Sequence, residues 1–181
     1  MVERGRALHG SHTHGQGTIT SAVGRNAPCV LVGAAARSGE RTVIRLQDST
    51  PGFTDANQPR VLVNMTNNNP ATGSTPDYLR PNENWNQVLQ AITLDLGSGN
   101  TGAVGVHLRA AQGSVLEDVE VLARDGLVGI AGGPGSGGAM VGVTVTGGLW
   151  SFDMRATQPA PTVTRATASS PACGALLSMS E

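Results

Sequence analysis

Residues 115–133, VLEDVEVLARDGLVGIAGG, hold two short valine-rich segments joined by a glycine-containing turn. Apolar and polar residues alternate in the first segment, which is typical of a β-strand. This segment recurs twice downstream, at steps of 24 and 23 residues. The recurrence gives three columns of aligned residues: Leu116, Met140 and Val163; Val119, Val143 and Ala166; and Val121, Val145 and Ala168.

The second segment recurs as well. Val106, Ile130 and Phe152 form its column, at steps of 24 and 22 residues. Gly-rich turns at 97–100 and 132–138 separate the segments. Repeats of this length indicate a stacked architecture in which each unit buries its apolar face against its neighbours.

Two other stacked folds do not fit these repeats. A leucine-rich repeat needs an LxxLxLxxN pattern, which the valine segments lack. A helical repeat needs long helices, and 25 Gly with 10 Pro leave no room for them. The sequence therefore predicts an all-β fold, a single-stranded parallel β-helix whose coils rise by about 4.8 Å.

Upstream segments fit the same repeat. In TVIRL, Ile44 and Leu46 precede Ile92 and Leu94 by 48 positions, close to two periods, which predicts that these residues stack. RVLVNM (60–65) is the predicted second strand of that coil, and GTITSAV (17–23) with CVLVG (29–33) another, less regular coil. The predicted organisation is an unstructured or foreign segment at 1–16, coils at 17–168 with a long loop at 66–85, and an irregular tail at 169–181.

Composition excludes several classes of function. Twelve basic and 13 acidic residues give a net charge of -1, so the chain lacks the basic character of a nucleic-acid-binding protein. No run approaches the ~18 apolar residues of a membrane span, and the start MVERGRALHG has no apolar signal-peptide core. We expect neither a nucleic-acid nor a membrane partner. Cys29 and Cys173 match no CxxC site, so neither a metal cage nor a disulfide framework is predicted.

Three blocks carry a family resemblance: TVIRLQDSTPGF (42–53), the stretch from WNQVLQ to VGIAGG (85–133) and GGLWSFDMRATQPAPTVT (147–164). They resemble the rhamnogalacturonase/epimerase-like pectate lyase domain of the pectate-lyase superfamily, whose fungal relatives include exo-β-1,3-glucanases. GNTGAVGVHLRAAQGS (99–114) matches as a block. The resemblance covers roughly 17–168. It implies a right-handed, pectin-lyase-like parallel β-helix, an extracellular location and a polysaccharide or oligosaccharide partner.

The sequence also departs from that family. The Gly-Asp-Gly-x-x-Asp-Asp-Thr motif and capping helix with which family members usually open are missing ahead of Gly17. The segment 169–181 loses the strand pattern. Since solenoids need caps over their terminal coils, we expect a partial β-helix, lacking caps, from the middle of a longer protein.

A first candidate site follows from the alternation of side chains along a strand. If Val106 and its neighbours 104 and 108 point inward, polar residues project outward on two rungs, separated by a Gly129 and Ala131 rung: His107 and Arg109 on one, Asp153 and Arg155 on the other. This predicts a shallow groove about 10 Å wide, at two coil spacings.

Each residue of this groove has a predicted role. Arg109 and Arg155 would bind a carboxylate or the hydroxyls of a sugar, and His107 or Asp153 would transfer protons. The alternative is an ordinary solvated face with an Arg–Asp pair.

A second candidate site is a pair of carboxylates. Asp95 and Glu120 on adjacent coils are predicted to lie within the ~6.5–9.5 Å that an inverting glycosidase needs. Polygalacturonase-type motifs are absent, so no catalytic residue is carried over from those enzymes. The alternative is a solubilising acidic surface.

Aromatic and histidine residues give two further candidates. Tyr78 and Trp85 sit among polar residues, which suits stacking on a sugar ring, although Trp85 would equally anchor the loop. His9, His12 and His14 have spacings that suit a divalent metal, or they form an incidental His-rich tail. We predict no cofactor and no bound metal.

Three functional hypotheses follow. The leading one is a β-helix domain that degrades a cell-wall polysaccharide as a glycosidase or lyase. The second is a non-catalytic glycan-binding or structural β-helix of the surface or tail-spike type. The third is an inactive fragment of such a protein.

Overall fold

The computed structural model describes residues 13–15, 19–20, 29–34, 40–65, 85–155, 157 and 161–170. The regular structure in these residues is all β. The strands are β1 (Thr13–Gly15), β2 (Ile19–Thr20), β3 (Val30–Val32), β4 (Thr42–Leu46), β5 (Arg60–Asn64), β6 (Val88–Asp95), β7 (Ala103–Arg109), β8 (Val115–Arg124), β9 (Val128–Gly133), β10 (Ala139–Val141), β11 (Thr144–Gly147), β12 (Trp150–Asp153), β13 (Thr162–Thr164) and β14 (Thr167–Ser169).

The strands stack as a β-solenoid of about three turns. One sheet runs in the order β1, β4, β6, β8, β10, β13, with β3 on β6, β11 on β8 and β14 on β11. The other runs β12, β9, β7, β5, β2. Every pairing between these strands is parallel. The predicted all-β, parallel β-helix class is therefore confirmed.

The register confirms the columns that the repeats predicted. Val106 pairs with Ile130, which pairs with Phe152. In the larger sheet two columns are in register: Leu116, Met140 and Val163, and Val121, Val145 and Ala168. Most of these side chains lie in the buried core, because the repeat places apolar residues one above another along the axis.

The predicted stacking of the upstream coil was wrong by two residues. Ile44 pairs with Leu94, not Ile92. The error came from assuming a constant period, since turns of different length change the step: β6 and β8 are offset by 27 residues, with Val88 opposite Val115.

The segment CVLVG was also placed in the wrong coil. β3 pairs with the first half of β6 and β4 with its second half, so both belong to one coil with an insertion between them. The segment GTITSAV contributes β2, which pairs with β5. The backbone at 13–15, within the segment that the sequence placed outside the coils, runs as β1 beside β4.

Each coil bends at corners where the backbone has a positive φ. Ala91, in the middle of β6, has a φ of 54° and lies opposite Asp118, whose φ is 52°. Gly142 and Arg165 continue this column, at 62° and 52°. Two further columns mark the other corners: Asn86, Gly113 and Gly137 in one, Gly97, Arg124 and Gly147 in the other. Single left-handed residues thus turn the chain between flat strands.

Close packing across the interior demands small residues at one level. A Cβ on Gly105 would lie 2.8 Å from Val121 Cγ1, and one on Gly129 would collide with Val145 Cγ1. These glycines let the two sheets approach each other where valines fill the core. The next residue in that column is Ser151, which is fully buried.

A buried asparagine ties adjacent coils together. Asn100 is fully buried, and its Nδ2 donates to the carbonyl oxygens of Gln47, at 2.8 Å, and Leu96, at 2.6 Å. Its Oδ1 accepts a hydrogen bond from the Thr50 amide at 2.8 Å. Gln47 and Thr50 follow β4, so this side chain joins the corner after β6 to the preceding coil.

Candidate functional site

A polar column runs along the outer face of the smaller sheet. Asn64, His107, Ala131 and Asp153 occupy consecutive rungs on β5, β7, β9 and β12. The rungs of a parallel sheet are about 4.8 Å apart, so His107 and Asp153 flank Ala131 at a separation of roughly 10 Å. The structure therefore brings together the two polar rungs and the small residue between them. We call these four residues the polar column.

Asn64 is a member of this column that the sequence analysis missed. It ends β5 directly after the buried Val63. The sequence signal was available, because a polar residue closing an alternating strand points away from its apolar neighbour. It was overlooked because β5 was aligned only as a strand, without its register to β7.

Asp153 is held by Arg155 on the same rung. The guanidinium donates from Nε to Oδ1 at 2.8 Å and from Nη2 to Oδ2 at 2.6 Å, and the Arg155 amide donates to Oδ1 at 3.2 Å. These hydrogen bonds lower the pKa of Asp153 against the opposing effect of burial, and the charge of His107 lowers it further. Asp153 is thus ionised at neutral pH.

The two predicted sugar-binding arginines differ in exposure. The Arg155 side chain is 66% exposed. Arg109 lies opposite Gly133 and is only 7% exposed, so it is largely covered instead of being displayed on the groove. The polar column therefore presents one arginine to solvent at the Asp153 end.

Asp95, the first of the paired carboxylates, is enclosed by arginines. Its side chain is 8% exposed and accepts hydrogen bonds from Arg124 Nε at 2.7 Å, Arg124 Nη2 at 2.8 Å and the Gly97 amide at 3.0 Å. Arg45 lies 3.4 Å away on the other side. Burial acts to raise the pKa of Asp95, but these hydrogen bonds and positive charges outweigh it and leave the pKa below its usual range.

Glu120, the second carboxylate, is part of a different network. Its Oε2 accepts a hydrogen bond from Thr93 Oγ1 at 2.8 Å, and Thr93 accepts one from Arg41 Nε at 3.1 Å. Thr93 and Glu120 are opposite each other, and Asp95 lies two residues beyond Thr93. The Cα atoms of Asp95 and Glu120 are therefore about 8 Å apart. The two carboxylates share a sheet but bind separate sets of partners.

Arg41 links three successive coils, which the sequence did not predict. It lies just before β4 and donates to Asp118 on β8, from Nη1 to Oδ1 at 2.8 Å and from Nη2 to the carbonyl oxygen at 2.6 Å. The arginine passes the intervening coil at Ala91, whose small side chain leaves room, and contacts Thr93 there. We call this the Arg41 clip.

The remaining candidates are only partly described. Trp85 is 44% exposed, and its carbonyl oxygen accepts a hydrogen bond from Gln87 Nε2 at 2.9 Å. Tyr78, His9 and His12 lie outside the described residues. No cluster of three or more His, Cys, Asp or Glu suited to a metal occurs in the part of the chain that is described.

Comparison with known proteins gives no relative. No family model, curated protein or solved structure matches this chain. The fold that the structure supports is a parallel β-solenoid compatible with a β-helix. In the described ranges no helix is long and apolar enough to cross a bilayer.

Proposed function

We propose that this chain is a carbohydrate-binding β-helix domain that holds a glycan on the polar column without cleaving it. The observation that carries the proposal is the register of Asn64, His107, Ala131 and Asp153, which forms a row of polar groups with a gap at the alanine. The sequence resemblance to the pectate-lyase superfamily supports a carbohydrate ligand. It stands as part of the proposal.

The Asp153 end of the column suits recognition of hydroxyl or carboxylate groups. Asp153 fixes the orientation of the Arg155 guanidinium through two hydrogen bonds, and the side chain is 66% exposed. A guanidinium held in place loses less conformational entropy when it binds a ligand. The ion pair is close to neutral, so both neutral and acidic sugars are accommodated.

The state of the predicted catalytic carboxylates favours binding over hydrolysis. A glycosidase needs one carboxyl group that keeps its proton near neutral pH, with a raised pKa, and a second that is ionised. The pKa values of Asp95 and Asp153 are both shifted in the opposite direction. Asp95 is also shielded from solvent, so a sugar would have to displace Arg124 to reach it.

An elimination reaction is the second candidate. It needs a base and a cation that neutralises a uronate, and it does not need two carboxylates. His107 and Arg155 stand at the two sides of Ala131 and have this chemistry. The lyase implied by the sequence resemblance would use the same face.

A glycan array combined with product assays tests both candidates. We expect the chain to bind at least one glycan among pectin, rhamnogalacturonan and β-1,3-glucan fragments, to lose that binding on Arg155→Gln and to keep it on Arg165→Gln. Arg165 is the matched control because it is exposed at a corner of the larger sheet.

Three outcomes decide between the proposals. Binding without reducing ends or absorbance from unsaturated uronate supports the binding domain. Release of unsaturated products that Arg155→Gln and His107→Ala abolish supports the lyase. Failure of the unaltered chain to bind any of the glycans overturns both.

A further inference from the structure

One end of the solenoid presents two strand edges. β13 pairs with β10 and β14 with β11, and no other described strand adjoins them. The Thr162 amide donates to Gly138 at 2.9 Å and the Thr167 amide to Val143 at 2.8 Å, both toward the preceding coil. Because successive peptide groups in a strand point in opposite directions, the N–H and C=O groups of Val163 and Ala168 point away from that coil.

The apolar core reaches this same end. Val163 lies in register with Met140, which is buried, yet Val163 itself is 41% exposed. Ala168 packs against the core and is partly buried. An edge with both unpaired backbone groups and an exposed core residue is a template for a further strand.

The opposite end presents the complementary edge. In β3 the Cys29 carbonyl oxygen accepts from the Val88 amide at 2.9 Å, and the Gly33 amide donates to Gln90 at 2.8 Å. The backbone groups of Val30 and Val32 therefore point away from β6. Their side chains are 57% and 38% exposed.

These two ends fit each other in direction and in register. Every described strand pairing is parallel, so a second copy translated along the axis presents β3 to β13 with the correct strand polarity. Val30 belongs to the column that continues through β6, β8 and β10 to Thr162. Continuing the register by one coil places Leu31 of one copy against Val163 of the other, apolar against apolar.

We propose that this chain associates head to tail with a second copy of itself, β3 of one molecule pairing with β13 of the next. The interface is heterologous, since two different surfaces meet. Further copies therefore add in the same way, and the assembly grows as linear oligomers. The inference does not depend on glycan binding.

Proline substitutions test the pairing at each edge separately. Val163→Pro removes the N–H that would donate across the interface from β13, and Val32→Pro does the same for β3. Neither residue uses its N–H inside the solenoid, and edge positions tolerate proline. Val163→Thr is the matched control for the first variant, because it keeps the N–H and a β-branched side chain. Thermal unfolding checks that all variants are folded.

Sedimentation velocity over a concentration series gives the result. We expect the unaltered chain to form dimers and larger species as concentration rises, and Val163→Thr to retain association. Each proline variant alone should stay monomeric. An equimolar mixture of the two should form dimers and nothing larger, because each molecule keeps one functional edge and the two edges are complementary.

Several results would overturn the proposal. One is an unaltered chain that stays monomeric at its highest soluble concentration. Another is proline variants that associate as strongly as the unaltered chain, since that identifies a different surface. A mixture of the two variants that stays monomeric also excludes head-to-tail pairing.

Discussion

Replacing Asp95 by Asn tests whether the buried carboxylate supports the solenoid more than it serves a site. The substitution keeps the volume of the side chain but removes its charge. In the structure the carboxylate is 8% exposed and accepts three hydrogen bonds, two from Arg124 and one from the Gly97 amide. The amide of asparagine offers one oxygen acceptor, and its NH₂ group would face a guanidinium.

The expected loss of stability follows from these contacts. A hydrogen bond to a charged group contributes about 1.5–3 kcal/mol. The full value does not apply to the two bonds from Arg124, because that side chain is 43% exposed and regains water when it is released. We therefore expect Asp95→Asn to lower the free energy of unfolding by about 2–3 kcal/mol, which corresponds to a decrease in Tm of roughly 4–12 °C for a chain of this size.

Urea unfolding followed by far-UV circular dichroism measures this change. A double-mutant cycle with Arg124→Gln isolates the contribution of the pair, and we expect the two single losses to exceed additivity when summed. Equal stability of the unaltered chain and Asp95→Asn at pH 7 would refute the reasoning. A cycle with no coupling between the two residues would refute the assigned pairing.

The pH dependence of the same variant gives an independent check. The folded-state pKa of Asp95 lies below its value in the unfolded chain, about 3.9. Its stabilisation is therefore fully present above that value and is lost as pH falls through the folded pKa. The difference in stability between the unaltered chain and Asp95→Asn should shrink below about pH 4. A difference that stays constant during acidification would contradict the assignment.

Three further substitutions test the corners and the interior, each by its urea midpoint. Ala91→Gly should raise stability by up to about 1 kcal/mol, since φ is 54° there, whereas Ala103→Gly in β7 should lower it; equal effects would contradict the corner. Gly129→Ala should cost about 1–3 kcal/mol through collision with Val145, and Val145→Ala should recover part of that loss. Asn100→Ala should cost about 3 kcal/mol or more by leaving buried backbone groups unpaired; a cost below 1 kcal/mol would contradict its role.

The repeat was predictable wherever core residues recur without insertions. Val106, Ile130 and Phe152 were aligned correctly because the core position must be apolar in every coil and the turns between these strands have similar lengths. The upstream register was not predictable in the same way. The insertion between β3 and β4 leaves no trace in an apolar pattern, so Ile44 was shifted by two positions.

The corners show where local sequence carries too little information. Glycine marks some left-handed positions, but Ala91, Asp118 and Arg165 occupy the same column, and none of them favours that conformation as glycine does. Their backbone is set by the strands on both sides, which pair with neighbouring coils. Tertiary pairing therefore overrides the preference of the single residue.

The candidate site was predictable in its rows but not in its ion pairs. Strand alternation and the repeat placed His107 and Asp153 on either side of Ala131, as the structure has them. The partners of Asp95 were not predictable, since Arg124 is 29 residues away and reaches the carboxylate only through the bend of a corner. Its charge looked available in the sequence and is engaged in the fold.

The Arg41 clip changes how separate parts of the solenoid can open. In a stack where each coil touches only its neighbours, a terminal coil frays without disturbing the second coil along. Arg41 joins β4 directly to Asp118 on β8 and holds Thr93 of β6 on the way. Opening of the β4 coil therefore breaks contacts in two others. The three coils form one cooperative unit, whose amide hydrogens exchange with solvent through a shared opening.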